Sequence, residues 1–118
     1  MGKSYRDLKV WKKGIQLVKK VYTITKKYPQ DELYGLTAQV RKAAISIPSN
    51  IAEGQARQSV KDFQRFLNIS KGSSAEVDTQ MVISKELEYI SKEELDDIYG
   101  DILEILRMLQ GLIDSLER

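Results

Sequence analysis

Ser46-Ile-Pro-Ser-Asn-Ile-Ala-Glu-Gly54 is the stretch on which the reading of this chain turns. Ahead of it, Gln39-Val-Arg-Lys-Ala-Ala-Ile-Ser46 has the apolar spacing of a helix. Pro48 then removes an N–H and crowds the preceding turn, yet Ile47 and Ile51 continue the same spacing. A new helix starting at Pro48 would use Ile47 as its N-cap, a role that isoleucine fills poorly. A single helix kinked at Pro48 fits better. The carbonyl of Ala44 then loses its donor, and Ser46, Ser49 and Asn50 supply polar groups for the freed backbone. This helix runs from about residue 33 to 53, with Leu36, Val40, Ala43, Ala44, Ile47 and Ile51 on one face. Gly54 fits the C′ position, where a left-handed residue closes a helix. Asn50 lies at the edge of the apolar face, and a buried amide there needs a partner. Arg41, Glu53, Ser73 and Glu76 are the candidates.

Three more helices follow from the same periodicity. The first spans about residues 8–28 and carries two neighbouring apolar stripes. Leu8, Trp11, Ile15, Val18 and Tyr22 form one; Val10, Leu17, Val21, Ile24 and Tyr28 form the other. Together they cover about 200° of the circumference, twice what a helix packed on one core requires. One stripe can face the bundle, and a subunit interface is the expected use of the second. Tyr28-Pro29 ends this helix. The third, about residues 59–87, opens on Ser59-Val-Lys-Asp62, with the spacing of a capping box. Its middle, Gly72-Ser-Ser-Ala75, is small and is expected opposite the kink, bringing helices two and three close together. The fourth, about residues 92–116, has the full capping box Ser91-Lys-Glu-Glu94, with Ile90 and Leu95 placed as a hydrophobic staple. Short connections predict an all-α, up-down-up-down antiparallel four-helix bundle in one domain, residues 1–118.

Composition removes most enzyme classes. The chain has no Cys and no His, which excludes zinc sites of ordinary type, Ser-His and Cys-His nucleophiles and Glu-x-x-His di-iron centres. Glu53 and Glu76 are the acids within the unusual segments, and pairing Arg41 or Asn50 is the expected use for them. No phosphate loop or nucleophile–base spacing points to catalysis, so the expectation is a non-enzymatic protein without metal or cofactor. No apolar run suits a membrane span, and the charged N-terminal residues lack a secretory h-region. Cytoplasm is the expected location.

Charge is unevenly distributed. Residues 1–29 hold nine Lys/Arg against one Asp, whereas residues 76–118 hold twelve Asp/Glu against four Lys/Arg. Lys9, Lys12, Lys13, Lys19, Lys20, Lys26 and Lys27 all fall on the arc that the two apolar stripes of helix one leave uncovered. They are candidates for contact with nucleic-acid phosphates. The alternative is a protein-interaction module, in which these lysines pair with Glu93, Glu94, Asp97, Asp101 and Glu104 within or between subunits.

Three segments carry a resemblance: Tyr5-Arg-Asp-Leu-Lys-Val-Trp11, Gly35-Leu-Thr-Ala-Gln-Val-Arg-Lys-Ala-Ala-Ile-Ser-Ile-Pro-Ser-Asn-Ile-Ala-Glu-Gly54, and Phe66-Leu-Asn-Ile-Ser-Lys-Gly-Ser-Ser-Ala-Glu76. Over nearly its whole length the chain resembles the 23S rRNA intervening-sequence proteins, small bacterial four-helix bundles. The resemblance implies a ring-like homopentamer. Similar proteins include the accessory protein of diversity-generating retroelements, which works beside a reverse transcriptase and presents a basic surface to nucleic acid. It therefore implies itself, RNA or DNA, and an RNA-associated enzyme as partners. The near-neutral net charge and the acidic fourth helix depart from a strongly basic accessory protein.

Overall fold

The computed structural model describes residues 4–117. Four helices, α1 (Lys9–Thr25), α2 (Leu36–Ala56), α3 (Val60–Glu86) and α4 (Lys92–Ser115), follow one another with short connections. Two short 3-10 turns, Tyr5–Asp7 and Gln30–Glu32, precede α1 and α2. Contacts run between α1 and α2, α2 and α3, α3 and α4, and α1 and α4, so each helix has two neighbours around one core. The α2–α3 seam is the most intimate and the α1–α4 seam the most open. The bundle measures 46 × 23 × 20 Å.

The start signals work as the sequence suggests. Ser59 accepts from the Asp62 amide, while Ser91 and Glu94 form the reciprocal box. Ile90 is buried, and Leu95 packs against the core. Glu32 caps α2, because its Oε1 accepts from the Leu36 amide at 3.0 Å and its Oε2 accepts from the Tyr89 hydroxyl at 2.9 Å. The α2 entry is thus tied to the α3–α4 connection. Leu17, Val21, Val40, Ala44, Ile47, Ile51, Leu67, Val77, Met81, Ile98, Ile102, Ile105 and Leu109 form one continuous core drawn from all four helices.

Pro48 lies inside one continuous α2, buried. Polar compensation comes from nearer groups than Arg41, Glu53 or Glu76. Asn50 Nδ2 donates to the Ser46 carbonyl and to Ser46 Oγ, both at 2.8 Å. Ser46 Oγ shares a 2.8 Å hydrogen bond with Ser73 Oγ, and Ser70 Oγ donates to the Ile47 carbonyl at 2.9 Å. The partner of Asn50 is thus Ser46 rather than any of the four candidates, and Ser73 joins the network only through Ser46.

Two glycine expectations are corrected. Gly54 does not close α2: it is buried inside the helix, where an added Cβ would come within 2.6 Å of Phe66 Cβ. The left-handed residue is Gln58, φ 65°, in the turn that follows. Gly72 does not mediate the close approach either, since it is exposed and a Cβ there would meet nothing within 4 Å. Buried Ser70, Ser73 and Ser74 do that work, because a serine side chain is small and each hydroxyl finds a partner: Ser70 on the Ile47 carbonyl, Ser73 on Ser46 Oγ and Ser74 on the Ser70 carbonyl.

Candidate nucleic-acid interface

Helix α1 faces its two neighbours and solvent with three distinct strips. Val10, Leu17, Val21 and the following Tyr28 are buried, so the second apolar stripe is the one that meets the core. The first stripe stays at the surface. Ile15 is 37% exposed and Tyr22 37%, and Trp11 and Val18 are half-buried. Trp11, Ile15 and Val18, with Tyr5, Ile45, Pro48 and Ala52, line a shallow apolar groove between α1 and α2. A second depression continues from Tyr22 and Ile45 to Leu33, Tyr34 and Ala38. Tyr34 stands 92% exposed there.

The seven lysines divide into two sets. Lys13, Lys20 and Lys27, seven residues apart, form an ion-pair ladder with α4. Lys13 Nζ reaches Asp101 Oδ1 at 3.1 Å and Glu104 Oε1 at 3.4 Å. Lys20 Nζ reaches Asp101 Oδ2 at 2.7 Å and Asp97 Oδ2 at 3.0 Å. Lys27 Nζ donates to Glu94 Oε1 at 2.6 Å. Hydrogen bonding to Asp101 raises both Lys13 and Lys20 above the ordinary lysine range. Burial pushes Asp101 up, but the hydrogen bonds from Lys20 and Lys13 outweigh it and hold the carboxyl below its usual value. The Lys27 hydrogen bond, with the Ser91 amide, lowers Glu94.

Lys9, Lys12, Lys19 and Lys26 are exposed, and among the described residues none of them forms an ion pair. Lys12, Lys19 and Lys26 also repeat every seven residues, one position before each ladder lysine. On the helix this places them between the ladder and the exposed apolar stripe, at about 100° per residue. The lysine arc of the sequence is thus half structural and half free. Glu93 is exposed and takes no part in the ladder.

The other motif residues are not gathered into a site. Arg41 Nε donates to Thr25 Oγ1 at 2.8 Å, and its guanidinium lies 4.5 Å from the Tyr22 ring centroid, joining α2 to the end of α1. Glu53 accepts from Arg57 Nε at 3.0 Å. Glu76 is exposed beside Gln39, Lys42, Ala43, Ser46 and Gln80. Glu53 and Glu76 therefore make separate contacts with solvent and near neighbours.

One cluster was not singled out in the sequence. At the α2–α3 turn the guanidiniums of Arg57 and Arg65 lie 5.1 and 4.4 Å from the centroid of the same ring, Phe66. Arg65 precedes Phe66 directly, but Arg57 reaches it only through the Gln58 turn, so spacing gave no signal.

Residues 6–111 match the family model described as 23S rRNA-intervening sequence protein. Among solved structures, a crystal structure of a protein with unknown function from the S23 ribosomal protein family of Bacteroides thetaiotaomicron VPI-5482 superposes with a TM-score of 0.81. It is 26% identical, and the match covers 88% of this chain and 97% of that one. No curated protein matches the chain. Among the described residues no helix is long and apolar enough to cross a membrane.

Proposed function

We propose that this chain, which belongs to the 23S rRNA-intervening sequence protein family, is a non-enzymatic subunit of a homo-oligomer that holds nucleic acid by its phosphates. The observation that carries this reading is the adjacency on α1 of an exposed apolar stripe and a row of exposed lysines without ion pairs. The groove lined by Trp11, Ile15, Val18 and Ile45 suits burial against a second copy. Lys9, Lys12, Lys19 and Lys26 would then repeat once per subunit around the assembly. The resemblance makes a closed ring of five the expected form and the cytoplasm the expected compartment. Contacts of this kind read charge and spacing rather than base sequence.

Light scattering should give a mass several times that of the 13.5 kDa chain. Ile15→Glu with Ile45→Glu should return it to one chain without loss of helicity. A wild-type protein that stays monomeric at micromolar concentration would remove the ring. RNA held by the lysine row should dissociate steeply as salt rises, by orders of magnitude between about 50 and 200 mM if several phosphates are contacted. A flat salt dependence would count against it. The ladder favours a second reading, an adaptor for proteins, because it commits three of the seven lysines to α4. No RNA binding at low salt, together with tight capture of one protein, would select that reading.

A further inference from the structure

We infer that the α2–α3 turn is a second phosphate-binding point, built on Phe66 with Arg57 and Arg65 as its ligands. Phe66 is 8% exposed and lies beneath the two guanidiniums. Gly54 makes this possible, since a Cβ there would collide with Phe66 Cβ at 2.6 Å. The left-handed Gln58 then turns the chain so that an arginine from each helix reaches one ring.

Both internal ion pairs engage the inner nitrogen. Glu53 Oε2 accepts from Arg57 Nε at 3.0 Å, and Asp62 Oδ1 lies 4.0 Å from Arg65 Nε. The outer amino groups of both arginines make no hydrogen bond among the described residues, and both side chains are about half exposed, 49% and 57%. The ring fixes each planar group, leaving its outer edge for an anion. Such an edge fits a phosphate with two N–H donors, and little side-chain freedom remains to be lost on binding. Because both guanidiniums stand on one ring, one short anionic segment can reach the pair. Lys61, exposed and without an ion pair among the described residues, adds a third cation on the next turn.

The occupant is a nucleic-acid strand rather than an acidic protein. A protein interface needs an apolar anchor at its centre, and the ring here is already covered by its two arginines. The turn also lies at the end of the bundle where α1 begins, because Tyr5 and Trp11 share a groove with Pro48 and Ala52. A strand following Lys12 and Lys9 along α1 therefore runs toward the turn. This inference rests on the phosphate reading of α1 for its ligand class, but on different residues.

The test is fluorescence anisotropy with a labelled single-stranded oligouridine, titrated across salt, on the full chain. Arg57→Gln with Arg65→Gln should weaken binding and reduce the slope of log K against log salt by about two. Arg57→Lys with Arg65→Lys keeps the charge but loses the fork, so it should weaken binding about tenfold with little change in slope. Unchanged binding in the glutamine pair, with loss in Lys12→Gln/Lys19→Gln/Lys26→Gln, overturns the turn site alone. Loss in the arginine pair with an intact lysine triple keeps the turn and removes the α1 strip. No binding by the wild type overturns both. Equal binding of polyglutamate overturns the assignment to phosphate. Circular dichroism melts establish that each variant is folded, and the lysine pair carries the test if the glutamine pair is not.

Discussion

Gly14, Gly54 and Gly72 all lie inside helices, for different physical reasons. A Cβ at Gly14 would stand 3.3 Å from Pro48 Cβ and Cδ, so α1 rests directly on the proline ring of α2. Gly54 gives α3 room for Phe66, whereas Gly72 faces open solvent. Gly54→Ala should cost about 2 kcal/mol, because the colliding Phe66 Cβ is held by its own backbone. Gly72→Ala should stabilise by about 0.5–1 kcal/mol, since it removes only unfolded-state freedom and adds helix propensity. Urea denaturation of both variants checks the pair; a loss at Gly72 would mean that its surface is covered. Sequence spacing marked Ser46, Asn50 and Ser73 near Pro48 but missed Ser70 and could not rank them. The winner was set by reach: Asn50 and Ser46 are one helical turn apart, so their side chains meet without crossing to another helix.

At the level of helices, the fold was legible almost throughout, because it depends on periodicity and caps. Ser91 and Glu94 announce α4 within the sequence itself, and no tertiary contact is needed to see them. The pairing of two helix surfaces was less legible. Both apolar stripes of α1 are equally good on a wheel, and tertiary packing, in which Gly14 lies against Pro48, decides which turns inward. The same decision aims Lys13, Lys20 and Lys27 at α4, since they flank the inward stripe. The ladder gives the α1–α4 seam a defined pH response. Lys13 and Lys20 are raised, so their contribution is full below about pH 10.4 and fades as pH climbs through the raised values. Asp101 and Glu94 are lowered, so theirs is full above about pH 4 and fades as pH falls through the lowered values. Stability should therefore form a plateau at neutral pH with an acid limb. Asp101→Asn should lower the plateau by about 1 kcal/mol and flatten the acid limb, as read from urea midpoints across pH. An unchanged acid limb would show that the ladder contributes nothing.

For the molecule as a whole, the exposed α1–α2 groove is the feature that a single chain leaves unexplained. Ile15, Tyr22 and Ile45 are each more than a third exposed, and Leu33 and Tyr34 extend the same surface. A closed ring would cover that surface, and folding would then be linked to association. Its melting temperature should rise with protein concentration, which differential scanning calorimetry over a hundredfold range would register. A concentration-independent melt, with a monomer mass, would leave the groove to another partner. The site was the least legible level of all. Seven lysines read as one arc, because a wheel shows where a charge points but not which acid meets it; α4 then claimed three of them.

The ladder has one more consequence, which concerns the order of events on a ribosome. Its basic half is made early and its acidic half last, since the acids of α4 lie between residues 94 and 104. Until those residues emerge, Lys13, Lys20 and Lys27 lack their α4 partners and are open to whatever polyanion surrounds the nascent chain. Docking of α4 is then a displacement reaction as much as a folding step. Ionic strength should govern its rate more than the rate at which the tightly packed α2–α3 hairpin forms.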